Sequence, residues 1–523
     1  MKRTIFYIII SFFCFISGII LSSRIVPRIK NLSNIFTLNE DSKEKNLNDS
    51  IQDIYITIKD KEYKKLRQRR DYAINGNYLT DSLQSSVKAE IKYNNQIFKT
   101  KIGLTGGLKE HFEDQEKWSF KFKLSENKQI NGMTKFAILY PEARGYLTDW
   151  LAYKLLKARG VISLKVGFCD VFLNKNYLGL YYLEERFGDH VLKNNQLEKG
   201  VIFKIKIALK GEDVGKSFNY NTNLKFYNEK NILEDSLLNS YFLEVNQLWF
   251  SFYSGSLKVS EVFDLHKFAT VFAISDLLNS KHGYSVHNLR FYYNPITKLI
   301  EPIAREWMDL NNGPPLNKNF GSLTIEGEVA NNIQWDNVYL KNFLIEKLYK
   351  DIQLQEFYIK ELGIISKRKY LDSVLLKNNK ELKLFTAKIN NYDSTYHFPY
   401  LKLYENQEEI SKKLYPENPS IVVNFKEINH NIVTLLVKNK SNLPQEIHEV
   451  KFLNKNILEN KYTVLPKYLK KDGQKLELKL DIDSKNIDFR KTTIDVVFSC
   501  LGTSPEMRNY LGEKIINKTI VLF

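Results

Sequence analysis

Cysteine, proline and glycine are scarce in this chain: 3, 12 and 23 residues among 523. Cys14, Cys169 and Cys500 offer no metal-ligand spacing and no disulfide framework. Cys169 and Cys500 lie in strand-like sequence and read as small buried hydrophobes. So little glycine and proline excludes collagen-like and low-complexity classes. Also missing are an arginine-rich block, zinc-finger spacing, an internal repeat and a G-x-x-x-x-G-K-[ST] loop. What the chain does have is 43% apolar and 26% charged residues, with 31 Tyr and 33 Phe, so most of it should fold. Its length suits two or three domains. The formal net charge is +17, with a pI near 9.2. The lysines are scattered, which reads as a solvated surface near an anionic membrane, with no nucleic-acid partner.

Behind Lys2 and Arg3 runs "TIFYIIISFFCFISGIILSS", about twenty residues without charge, enough to cross a bilayer. A signal peptide is the alternative, since Ser22 and Ser23 are small, but no A-x-A site follows. The expectation is an uncleaved anchor within residues 1–24, touching the membrane through 5–23, with the bulk of the chain outside the cytoplasm. Residues 25–50 are polar and read as a stalk.

From 51 to about 325 strands and helices mix. "IQDIYITI" alternates as a strand, and "KEYKKLRQRRDYAING" reads as a helix ending at Gly76. "YNNQ" and "NKNY" mark hairpin turns. A helix is predicted from about Tyr146 to Arg159. Helical spacing dominates from about 336 to 413. After "PENP", short alternating strands suit a β-sandwich over 416–523.

Four stretches carry candidate chemistry. In "EKWSFKFKL", Trp118, Phe120, Phe122 and Leu124 share one strand face, and Ser119, Lys121 and Lys123 the other. A strand presenting lysine into a cleft can hold phosphates, although an edge strand with solvated lysines gives the same pattern. "GLTGGLKEHFED" is Gly-rich but lacks the phosphate-loop spacing, so it is weak evidence. "YPEARGY" carries Glu142 and Arg144, which can fix a lysine or a loop, or simply brace a turn. "HGYSVHN" precedes an aromatic strand, and "EPIAREWMDL" follows it. A phosphoryl-transfer loop places an Asp five residues before a metal-binding Asn, with a second acid downstream. Asn288 fits the metal-binding Asn, but Gly283 stands where the Asp should be. His282 and His287 are further ligand candidates, though a loop histidine is more often structural.

The order "LTGGLKEHF…KWSFKFKL…GMTKFAILYPEARGYLTDWL…FLNKNYLGLYYLEERF…GVIFKI…HGYSVHNLRFYYNPITKLIEPI" resembles the CotH kinase family, named for the spore-coat protein CotH. The resemblance spans roughly 51–415. It implies an α+β, atypical protein-kinase-like domain, with ATP and Mg²⁺ or Mn²⁺ as cofactors and phosphate passing to protein hydroxyls. On this pattern His282, Asn288 and Glu306 take the catalytic positions. Lys121, Lys123, Glu142 and Arg144 take the nucleotide positions, and Asn288, Glu306 and Asp309 the metal positions. The chain departs from the pattern at Gly283, and at Glu306, where family members carry Asp after "EPI". Glu reaches one methylene further than the tight octahedral geometry of magnesium favours. Two readings follow: an envelope kinase-like protein with weak or lost transfer, acting on an unknown protein substrate, or a non-catalytic scaffold. A carbohydrate-binding surface protein ranks last, resting on aromatic content and the C-terminal strands alone.

Overall fold

The computed structural model describes residues 53–76, 79–80, 82–125, 128–205, 224–280, 282–284, 288–307, 343–416, 420–429, 432–441, 443–452, 455–465, 476–481, 493–503 and 517–521. The anchor and stalk expected over 1–50 lie outside these residues, as do Cys14, His287 and Asp309. Among the described residues no helix is long and apolar enough to cross a membrane.

The first half is built on a barrel. Strand β1 (Ile54–Thr57) leads into helix α1 (Asp60–Asn75), which stops at Gly76 as its sequence predicts. Strands β2 (Val87–Tyr93) and β3 (Gln96–Leu104) follow, joined by Asn94 and Asn95, both at positive φ (49° and 58°). That backbone matches the twist of a two-residue hairpin, and asparagine tolerates it. Next come β4 (Phe120–Leu124) and β5 (Lys135–Leu139), then helix α2 (Leu147–Ala158). A second hairpin, β6 (Val166–Leu173) and β7 (Asn176–Glu185), turns through Asn174 and Lys175, again at positive φ. The seven strands close in the order β1-β2-β3-β4-β5-β7-β6, because β1 pairs antiparallel with β2 and parallel with β6. Local alternation does not reveal this closure, since the parallel partner is more than a hundred residues away.

Alternation then divides β5, β6 and β7 between two cores. Phe120, Phe122, Phe136, Ile138, Tyr181 and Leu183 face into the barrel. Ala137 and Leu139, like Leu180 and Tyr182, face outward into a larger cluster shared with the helices. The barrel wall therefore has one face in its own core and one face on the rest of the molecule.

That larger core gathers α3 (Asp189–Asn194), β8 (Ile202–Ile205), β9 (Leu224–Phe226), α4 (Glu229–Glu234), α5 (Ser236–Ser254), α6 (Val259–Val262), α7 (Leu265–Leu278), β10 (Arg290–Asn294) and β11 (Leu299–Ile303). The four strands form a sheet in the order β11-β10-β8-β9. Helix α7, "LHKFATVFAISDLL", is buried on nearly every side, which its almost continuous apolar sequence requires. The Asp264 carboxylate accepts from the Lys267 N–H and caps it. Five helices follow: α8 (Phe343–Lys350), α9 (Ile352–Ile365), α10 (Arg368–Lys377), α11 (Asn379–Tyr392) and α12 (Tyr400–Leu414), of which α9 and α12 pack against α7.

Among the described residues of the C-terminal stretch, the regular structure is strand. One sheet holds β12 (Ile421–Asn429), β13 (Ile432–Asn439) and, further along the chain, β17 (Leu476–Asp481). The other holds β14 (Gln445–Phe452), β15 (Lys455–Asn456), β16 (Tyr462–Val464), β18 (Thr493–Cys500) and β19 (Asn517–Val521). Both sheets contribute to a separate cluster that includes Val433, Leu435, Ile447, Val496 and Phe498. Leu443, Cys500 and Leu501 instead join the main core. Cys169 and Cys500 are both buried, Cys169 inside the barrel.

Candidate functional site: a buried network of arginine and glutamate

Strand register decides which predicted residues meet. Lys121 on β4 pairs with Ala137 on β5, and Ala137 pairs with Glu184 on β7. Paired residues share a sheet face, so Lys121 and Glu184 lie on the same outer face with only a small side chain between them. One pair along, Lys123 opposes Lys135, and the Arg186 N–H donates to the Lys135 carbonyl. The outer face of β4, β5 and β7 thus carries a row of cations ending at a carboxylate. Lys121 Nζ donates to Gln84 Oε1 at 3.0 Å, while Lys123 is exposed.

Arg144 reaches this face from the single helical turn Glu142–Arg144, after β5. Gly145 follows at φ 57°, and this left-handed turn feeds α2. Arg144 Nε donates to Glu184 Oε2 at 2.7 Å, and Nη2 to Glu306 Oε1 at 3.2 Å. Glu142 does not share this place: it is exposed and accepts from the Tyr146 hydroxyl at 3.2 Å. The partner of Arg144 is Glu184, not its neighbour in the turn.

The segment after β11 supplies the opposite wall. Arg305 Nη2 lies 2.8 Å from Glu184 Oε1 and 2.6 Å from Glu306 Oε1. Two guanidiniums and two carboxylates therefore interlock. Arg144 and Arg305 hold the Glu306 carboxyl well below its ordinary range, against the burial that would raise it. Glu306 sits at φ 67°, a left-handed backbone that glutamate rarely adopts. Such strain persists only where surroundings impose it, and it gathers at functional sites. Beside it, Trp307 is fully buried and its backbone N–H donates to Asp149 Oδ1 at 2.8 Å. Asp149 also accepts from the Tyr182 hydroxyl at 2.6 Å, and burial pushes its carboxyl up to about 7.

The loop with His282 and Asn288 completes the site. Asn288 is buried and its amide donates to the His282 carbonyl at 3.0 Å, so it ties the loop's two ends together. His282 Nε2 lies 3.6 Å from Glu306 Oε2. The structure thus brings His282, Asn288, Glu306 and Arg144 together, and adds Glu184 and Arg305. Gly283 lies against Trp307: a Cβ there would meet the indole at 2.5 Å. The Gly283 carbonyl accepts from the Arg305 N–H at 3.2 Å. No side chain fits at position 283 without moving a buried tryptophan, so the place of the missing Asp is filled.

The Gly-rich stretch also contributes. Gly106, at φ 90°, leaves space that the His111 ring fills, and the Thr105 hydroxyl accepts from Arg186 Nη1 at 2.9 Å. Burial, with Arg144 nearby, pushes His111 down to about 4.

A divalent cation fits poorly beside these guanidiniums, because one Glu306 oxygen is already shared by Arg144 and Arg305. Among the described residues, no group of three or more His, Cys, Asp and Glu side chains could hold an ion. Asp309, the remaining predicted ligand, is not among them. Sequence reasoning overlooked Glu184, Asp149, Arg186, Arg290 and Arg305 as site residues. The signal available for Glu184 and Arg305 was charge at two strand ends, in "EERF" and "ARE".

No curated protein matches the chain significantly. The family model described as CotH kinase protein matches residues 105–395, from the Gly-rich turn to the turn after α11. The match takes in more than half of the chain and every described residue of the network; the protein belongs to the CotH kinase family.

Proposed function

We propose that the protein is a kinase-fold binder of phosphoryl ligands, ATP among them, that transfers phosphate to protein hydroxyls weakly or not at all. The observation that carries this reading is Gly283, packed against Trp307 with no room for a side chain. In phosphoryl transfer the loop acid at that place orients the attacking hydroxyl and takes its proton. Loss of a positioned base typically costs on the order of 10²–10⁴ in rate. Binding is separable from it, since Lys121, Lys123 and Arg144 approach from the barrel side. We place the protein at the cell envelope, held by residues 5–23, with an unknown protein partner there. We read the two C-terminal sheets as a small sandwich, supported by their own apolar cluster.

The test combines two measurements on the full-length chain: thermal stabilisation by ATP, and transfer of labelled γ-phosphate to itself or to envelope proteins. Stabilisation without transfer is expected. Robust transfer abolished by Asn288→Ala would overturn the reading, and absence of both signals would leave a scaffold. Membrane fractionation of the full-length chain against one starting at Asn31 tests the anchor. Recovery of a soluble, N-terminally trimmed product would show a cleaved signal instead.

A further inference from the structure

Among the described residues, the charges around Glu184 and Glu306 do not balance. Arg144 and Arg305 already pair with both carboxylates. Two more guanidiniums, Arg186 and Arg290, lie within electrostatic reach of Arg305. The hydroxyls of Thr105 and Tyr227 accept from them, at 2.9 Å and 2.6 Å. Burial disfavours the Arg186 charge, and Arg305 nearby adds to that cost. Arg305 Nε is buried and makes no hydrogen bond. From Arg186 the cations continue along the sheet through Lys135 to Lys123. Asp189 is the acid that offsets Lys135.

We infer that this site takes a phosphoryl oxyanion directly on its guanidinium groups, with no bridging divalent cation. The inference rests on the phosphoryl-binding reading above and narrows it to a mode of binding. Guanidinium matches phosphate oxygens with paired N–H donors, and a dianion here offsets the charge that Arg186 adds to this face. A metal ion on Glu306 would instead add a further positive charge beside the two guanidiniums that already share its Oε1. Kinase-like sites ordinarily neutralise phosphate with metal. Here the protein's own cations occupy that role.

The experiment is thermal unfolding of the full-length chain with inorganic phosphate, pyrophosphate or ATP, each with excess EDTA and with Mg²⁺. A rise of about 3 °C near saturation is expected in EDTA, with little gain from Mg²⁺. Comparing inorganic phosphate with ATP shows which source of the oxyanion the site prefers. Arg186→Gln is the informative variant. A surplus cation predicts that it raises the ligand-free midpoint and reduces the ligand-induced rise at least tenfold in apparent affinity. Arg186→Lys should keep part of the rise. The inference fails if stabilisation needs Mg²⁺, if none of the three ligands stabilises, or if Arg186→Gln leaves the rise intact. The γ-phosphate assay is read separately. Transfer together with EDTA-resistant binding overturns the weak-transfer reading alone, and Mg²⁺-dependent binding without transfer overturns this inference alone.

Discussion

Gly283 and Glu306 set opposite tests of the same loop. Restoring an acid by Gly283→Asp looks attractive on sequence, but the added Cβ lies 2.5 Å from the Trp307 ring. Overpacking of this kind costs about 1–3 kcal/mol, so Gly283→Asp should lower the unfolding midpoint and restore no transfer. Glu306→Gly relieves the positive φ, worth about 1 kcal/mol, yet strips two guanidiniums of a shared carboxylate, costing about 3 kcal/mol. The second effect wins, and denaturant titration should show net destabilisation. His111 and His190 are both pushed down to about 4, chiefly by burial. Each stays neutral in the folded protein while the unfolded chain takes up a proton below about 6.5. Stability should therefore fall as pH drops from about 6.5 to 4, by up to about 3 kcal/mol for His111. Asp149, raised to about 7, works in the opposite sense, because its folded form holds a proton that the unfolded form has lost. The difference between wild type and His111→Asn, measured as midpoint against pH, isolates the His111 share. A parallel pair of curves would refute it.

Hairpins and helices were largely legible before any coordinates. "YNNQ" and "NKNY" turn where asparagine at positive φ permits, α1 stops at Gly76, and α2 fills the span predicted from Tyr146 to Arg159. These features depend on neighbours in sequence. The barrel's closure and the charged network depend on partners far apart, such as Arg144 with Glu306, and no local pattern encodes them. Arg144, Asn288 and Glu306 were still identifiable, because the motif order marks them. Glu184 and Arg305 were not, since a lone charge at a strand end usually faces water. One turn offers an element-level check. Lys175 sits at φ 74°, where a Cβ is unfavourable, so Lys175→Gly should stabilise by about 0.5–1 kcal/mol. Asn174 at φ 49° is different: its Oδ1 accepts from the Ile58 N–H at 2.8 Å. Asn174→Gly therefore gives up that bond and should gain nothing in the same chemical-denaturation assay.

At the scale of the whole chain, the C-terminal sheets are tied to the body as well as to each other. The Cys500 thiol donates to the Leu414 carbonyl at 3.2 Å, at the very end of α12. Leu443 and Leu501 extend the main core, and Gly502, at φ 74°, lies against Glu356 on α9. Ending the chain at Pro416 should thus uncover apolar surface and lower the midpoint of the remaining domain by several degrees. An unchanged midpoint in calorimetry would mean that the two parts are energetically independent. Closure of the barrel carries a different implication, for the order of events at the ribosome. Strand β1 emerges before the rest of the barrel, and its parallel partner in β6 comes more than a hundred residues later. At about 5–20 residues per second, β1 waits on the order of ten seconds with one edge uncovered. The nascent chain passes through a stage in which an open, apolar sheet is exposed. Ribosome-bound intermediates ending before Val166 should recruit holding chaperones, and those ending beyond Glu185 should release them.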